Sequence, residues 1–329
     1  MNLSALLSRW LNPARPDPDA LAALERAIHY LGPQLKSVGN LERKLRRPLR
    51  IALDHCEHLV ASLPPEVELD RSAVASNPVV HALFPSADAL AEAVGSSRHV
   101  RSFLTAGSGC GADHVHALLA ARRAEKSVLG VALEGDTLRR DVPQTLIYFS
   151  GHVISEPAPA ADEARARLLD AAVDSLLMSF ATHVRAIRDE LASIETARGI
   201  ERTQLAVMRQ SLREARLAEH TRKIYELNER LRHDIEALQP DRVASALAEH
   251  LEQPERCLRL ESVTLRALRN GVLLGEGTPQ TEDELVLDLC ELVSRDRRKH
   301  VVLPVRIPMA FAREAVARAN ELSERYMLV

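Results

Sequence analysis

Aromatic residues are scarce in this chain: Phe, Tyr and Trp together make up 3% of it, with 1 Trp. That scarcity argues against a platform that stacks nucleic-acid bases, which needs several exposed rings. Cysteine is sparse as well, with 4 residues (Cys56, Cys110, Cys257 and Cys290) far apart and no C-x-x-C pair. Such spacing reads as reduced thiols in a cytoplasm, not as a disulfide framework. No sign of charge dominates, the formal net charge being -3. Any contact with nucleic acid or an anionic membrane therefore requires a local patch. No uncharged apolar run reaches the roughly 18 residues that cross a bilayer. The opening "MNLSALLSRWLNP" has an apolar stretch interrupted by Arg9 and stopped by Pro13, with neither a basic leader region nor a cleavage site. Also missing are G-x-G-x-x-G, a Walker A loop, G-x-S-x-G and H-E-x-x-H, so no cofactor is expected. Together these absences predict a soluble cytoplasmic protein without a transmembrane segment.

What is present is an ordinary globular proportion of hydrophobic residues, 46% over 329 residues, enough for two or three domains with a sizeable core. Periodicity predicts an α+β chain, predominantly helical. Leu3, Leu6, Leu7, Trp10 and Leu11 follow the i, i+3, i+4, i+7, i+8 pattern of an amphipathic helix over residues 1–12. That helix is a docking element for its own bundle or for a protein partner; peripheral membrane contact is weakly supported, since Arg9 is its lone cation. Residues 19–126 read as a helical bundle punctuated by prolines, with Leu45, Leu49, Leu53, Cys56, Leu59, Val60 and Leu63 on the buried face of one long helix.

Near residue 127 the period changes. "SVLGVALEGD" and "QTLIYFSGHVIS" are β-rich, giving a first β segment over 127–156. A second β-rich region, 257–307, lies within a C-terminal part, 241–329, that also carries a helix at each end. Asn270-Gly271 predicts a type I′ turn. Pro304, unable to donate to a ladder, predicts that the strand through Val301, Leu303, Val305 and Ile307 is an edge.

Residues 162–238 contain no proline, and Val173, Leu177, Phe180, Val184, Ile187, Leu191 and Ile194 keep the alternating spacing of a coiled-coil seam. The seam continues as Arg198, Glu201, Leu205, Met208 and Leu212, so two charges occupy consecutive core positions beside Gly199. A hairpin turning near Gly199 accounts for that polar break and lets the two β segments join one small antiparallel sheet. One straight helix of this length, about 115 Å at 1.5 Å per residue, would keep them apart.

The stretch "GSGCGADHVH", residues 107–116, invites a chemical reading. Cys110 ahead of a helix over 112–125, with Asp113 or His114 as polar partner, outlines a cysteine-dependent hydrolase or transferase. The simpler reading is a glycine turn and helix start, with His114 and His116 diverging on the helix. In "DHCEH", residues 54–58, Asp54, His55 and His58 have ligand spacing, but a metal needs further ligands and none is expected. The basic runs "ERKLRRPLR" (Arg43, Lys44, Arg46, Arg47) and "RDRRKH" (Arg297, Arg298, Lys299) offer weak anion or nucleic-acid sites. They support only a remote alternative, a nucleic-acid-binding or genome-defence accessory protein. The reading favoured by the sequence is a non-catalytic interaction or scaffold protein. It would bind a protein partner or self-associate through Phe180, Val184, Ile187, Leu191, Leu205, Met208 and Leu212.

Overall fold

The structure, a computed structural model, describes residues 18–107, 111–134, 137–209, 214–275, 283–295 and 298–327. The chain is α+β and predominantly helical, as its periodicity predicts. It divides into two compact units: residues up to His55 with Val173–Glu255, and Cys56–Ala172 with residues from Arg256 onward.

The first unit is helical. It holds α1 (Pro18–Leu31), most of α2 (Leu41–Ala61), α7 (Ala161–Arg209) beyond its first turns, α8 (Glu214–Ala237) and α9 (Pro240–Glu252). Each helix buries a stripe set by the 3.6-residue period: Ala20, Ala23, Leu24, Ala27 and Leu31 on α1, and Leu45, Leu49, Ala52 and Leu53 on α2. α7 buries Val173, Leu176, Leu177, Phe180, Ala181 and Val184 in the same way, and α9 buries Val243, Ala244, Leu247 and Leu251. Polar pins fix the packing. His250 Nε2 lies 3.1 Å from the Leu176 carbonyl, and its ring packs against Phe180 with centroids 5.2 Å apart. Arg188 donates to the Leu31 carbonyl at the C-terminal end of α1, at 3.2 Å, where the helix exposes unpaired carbonyls.

Helices α7 and α8 form an antiparallel hairpin. Arg230 reaches Glu190 at 2.7 Å, Arg198 reaches Asn228 at 3.3 Å, and His220 reaches Glu201 at 2.5 Å. α7 runs unbroken through Gly199 to Arg209, which corrects the expected turn at Gly199. Gly199 sits exposed inside α7, where a side chain would meet nothing within 4 Å. Its cost of about 1 kcal/mol relative to Ala is therefore one of propensity alone. The polar seam residues do not demand a break because the opposite helix supplies their partners.

The second unit is built on a sheet of order β3-β2-β6-β5-β4, from β2 (His114–Glu134), β3 (Thr137–Ala158), β4 (Leu258–Leu268), β5 (Glu284–Ser294) and β6 (Lys299–Pro308). The short β1 (Val67–Glu68) pairs in parallel with β6. The two β segments, far apart in sequence, thus share one sheet through the β2–β6 ladder, with Leu119 opposite Leu303. One face is covered by α3 (Ala73–Ser76), α4 (Pro78–Leu83), α5 (Ala87–Ser96), α6 (Arg98–Thr105) and α10 (Met309–Met327). Their starts are written locally: Asn77 accepts from Val79 and Val80, Ser86 from Ala89, and Ser97 from Val100. Gly95 lets α5 approach α10, since a Cβ there would lie 2.2 Å from the Ala315 carbonyl oxygen.

The sheet's two edges also meet. Ile147 N–H donates to the Gly271 carbonyl at 2.8 Å and Leu273 N–H to the Thr145 carbonyl at 2.8 Å, tying β3 to the segment just after β4. The Asn270-Gly271 turn makes this join, in a form other than the expected type I′. Among the described non-glycine residues only Asn40, Asp141 and Glu156 take positive φ, so Asn270 does not; Gly271 does, at 84°. Gly271 N–H bonds Leu268 O, and Leu268 N–H bonds Val272 O, both at 2.8 Å: a three-residue loop ending in a left-handed glycine.

Three further expectations are corrected. The stretch 19–126 is not one helical group: it is shared between the units, and from His114 it is strand. Val115, Ala117, Leu119 and Ala121 are buried with period two. Because Leu118 and Ala120 are also partly covered, the alternation is masked in the sequence. Pro304 is central, flanked by β2 on one side. The Arg306 carbonyl accepts from Leu69 N–H, so Arg306 and, two residues earlier, Pro304 turn their main-chain groups toward the β1 side. On that side β5 pairs with 299–301 and β1 with 305–306, so Pro304 falls in the gap between the two ladders.

Candidate interaction surface

The helical hairpin has two kinds of seam. Near its base, Phe180, Val184 and Ile194 are buried, and Ile187 and Leu191 partly so. Beyond Ile194 the filling changes: from there to Leu231, His220 is the one buried side chain among the described residues. Its Nδ1 faces Glu201 Oε2 at 2.5 Å, and Arg198 bonds Asn228 beside it. Polar pairs of this sort fix register and add little net stability. Apolar side chains stand outside instead. Ile200 and Val207, seven residues apart on α7, are 54% and 64% exposed, and Tyr225 on α8 is 66% exposed. A polar seam with apolar residues on the outer face inverts the usual arrangement of a two-helix arm.

The sequence pointed at the seam and missed this outer face. Its signal was the i, i+7 repeat of Ile200 and Val207, overlooked because the seam pattern was stronger. Phe180 and Val184, expected to carry association, are covered by their own unit and hold it together. Leu205 is half-buried; the Met208 side chain and Leu212 lie outside the described residues, as do Leu3, Leu6, Leu7, Trp10 and Leu11. The second unit carries another exposed apolar pair, Leu129 and Val131 on the β2–β3 ribbon.

The other predicted sites resolve as follows. Cys110 lies outside the described residues. Asp113 offers its carbonyl to Met309 N–H at 2.9 Å. His114 and His116 do not diverge: on a strand, residues two apart share a face, and their ring centroids are 6.4 Å apart. His116 Nδ1 lies 3.0 Å from Glu66 Oε2, which orients the ring. Glu66 also lines a cleft of about 420 Å³ with Val60, Leu63, Leu168 and Pro304; among the described residues its lining includes no hydroxyl or thiol nucleophile. Among the described residues no group of three His, Cys, Asp or Glu side chains is gathered for a metal. Asp54 is paired with Arg50 at 2.7 Å.

Each basic run is matched in part where it stands. Lys44 pairs with Asp241, Arg46 with Glu42 and Lys299 with Glu261; Arg43, Arg47 and Arg298 are exposed, and Arg297 is outside the described residues. Hydrogen bonds from Lys299 and Arg259 hold the Glu261 carboxyl below its ordinary range, and Glu261 in turn holds the Lys299 ammonium above its own. Next to them Glu291 is fully buried, its Oε1 2.6 Å from Arg123 Nε in an ion pair that lacks hydrogen-bond alignment. Burial, then the nearby Glu291 charge, pushes the Cys290 thiol up and so away from thiolate chemistry.

The chain matches no protein-family model, no curated protein and no solved structure. Among the described residues no helix is long and apolar enough to cross a membrane.

Proposed function

We propose that this is a cytoplasmic protein–protein interaction or scaffold protein whose helical hairpin, working as a coiled coil, binds a protein partner or a second copy of the chain. One observation carries the reading: Ile200, Val207 and Tyr225 are more than half exposed on an arm whose inner seam is held by polar pairs. Such residues cost little on the surface but supply the apolar centre of an interface once covered. The pairing of Lys44, Arg46 and Lys299 with carboxylates of the chain itself favours a protein partner over nucleic acid.

The experiment compares the full chain with an Ile200→Glu, Val207→Glu double variant by light scattering and by in-cell crosslinking. The variant, with unchanged circular dichroism, is expected to lose the oligomer mass or the crosslinked partner of the parent chain. A parent chain that is monomeric at its solubility limit, together with identical crosslinks for both proteins, would sink the reading.

A further inference from the structure

We infer that the second unit has a binding site for a small carboxylate with an alkyl tail, in the cleft where the sheet closes. This goes beyond the interaction role and rests on different residues. The cleft has a volume of about 420 Å³ and lies between α4, β3, β5 and the turn after β4. Small-molecule sites commonly span about 300–1,000 Å³ and favour the mouths of closed sheets.

The lining sets the ligand's chemistry. Its apolar part is Leu146, Ile147, Phe149, Leu285, Leu287 and Pro85. Among the described residues its polar part is rich in donors and holds neither Asp nor Glu. Among the described residues Arg269 is the one of fixed charge in the lining; it is exposed, and no described carboxylate pairs with it. Tyr148, an exposed side chain with a hydroxyl, and Asn270 also belong to the lining. The Asn270 Oδ1 is already used, accepting from Val272 N–H at 3.1 Å, so the amide presents its N–H groups. His81 spends Nδ1 on the Val74 carbonyl at 3.1 Å.

A guanidinium with neighbouring neutral donors and an apolar floor complements an anion carrying a hydrocarbon tail. A planar carboxylate suits the guanidinium fork. An amine of the same shape would meet a cation and no acceptor charge. The Asn270-Gly271 turn is what brings Arg269 to the cleft: Gly271 lies so close to β3 that a Cβ would be 2.7 Å from the Ile147 carbonyl oxygen.

The test is isothermal titration of the full chain with hexanoate, octanoate, octylamine and octanol at neutral pH. Octanoate is expected to bind tightest, and more tightly than hexanoate by up to about fourfold for each added methylene that is buried. Arg269→Gln is expected to weaken octanoate at least about tenfold and to leave octanol unchanged. Tyr148→Phe, an independent change at an exposed side chain, is expected to weaken octanoate by a smaller factor. Octylamine binding as well as octanoate, octanoate affinity unmoved in both variants, or no heat at millimolar octanoate would each overturn the site.

Discussion

His220 on α8 holds Glu201 on α7 through an Nδ1 to Oε2 contact of 2.5 Å, at the one buried position among the described residues in the outer half of the hairpin. Glu201 is one of two charged residues that interrupt the apolar seam in the sequence, and the other, Arg198, bonds Asn228. His220→Ala removes one partner of this pair and is expected to destabilise the chain by about 1–3 kcal/mol in urea melts. Replacing both residues with Leu should restore that stability. The doubly apolar seam should also show a second register or oligomeric state in light scattering, because the polar pair no longer selects one. A double variant as weak as the single one, and of unchanged mass, would contradict this role.

The pair of Arg123 and Glu291 makes a comparable test in the second unit. Arg123→Met takes the nearer cation from a fully buried carboxylate and leaves it Lys299 at 3.5 Å, for which the expected loss is about 1–3 kcal/mol. Arg123→Met combined with Glu291→Met should recover most of it, since replacing a buried ion pair by apolar side chains is often neutral. Chemical denaturation of the three proteins measures both effects.

Gly271→Ala addresses the closure of the sheet. The residue has φ of 84°, and a Cβ would crowd the Ile147 carbonyl oxygen at 2.7 Å. Strain of this kind costs about 1–3 kcal/mol. Hydrogen exchange should accelerate at the amides of Ile147 and Leu273, which bridge the two edges, before it does so along the β2–β6 ladder. Uniform acceleration would mean that the edges do not open separately.

The pH dependence of the second unit follows from His152. Burial, opposed by a hydrogen bond of 2.8 Å to the Leu83 carbonyl, lowers its pKa, and its ring stacks on Phe84. A lowered folded-state value means that the unfolded chain takes up a proton first. The contribution of His152 to stability is thus complete above the ordinary histidine value of about 6.5 and declines as the pH falls below it. The decline ends once the pH passes the folded-state value. Melting temperature followed from pH 8 downward should fall less steeply in His152→Gln than in the parent chain. Identical slopes would assign the dependence to other groups.

Val184→Glu separates packing from association. Because Val184 is buried inside its own unit, the charge should unfold that unit instead of merely lowering an oligomer mass. Loss of helical circular dichroism is the expected readout. Ile200→Glu, at an exposed position, should leave the spectrum intact.

The sequence by itself determined the long helical segments of the first unit and the helix over Met309–Met327, and it favoured a hairpin over one straight helix without locating its turn. Each helix is governed by local periodicity and local caps, which act between residues three to seven apart. It also placed β-rich segments on either side of the hairpin. Only the tertiary structure decided that His114 begins a strand, that Pro304 lies in the middle of a sheet, and that Asn270-Gly271 seals the sheet's edges. The apolar pattern of β2 fits a helix as well as a strand, and β6, nearly two hundred residues later, supplies the ladder that chooses between them. Where the polar seam residues find their partners was likewise set by the opposite helix: Glu201 and Arg198 look like a break until His220 and Asn228 come round to meet them.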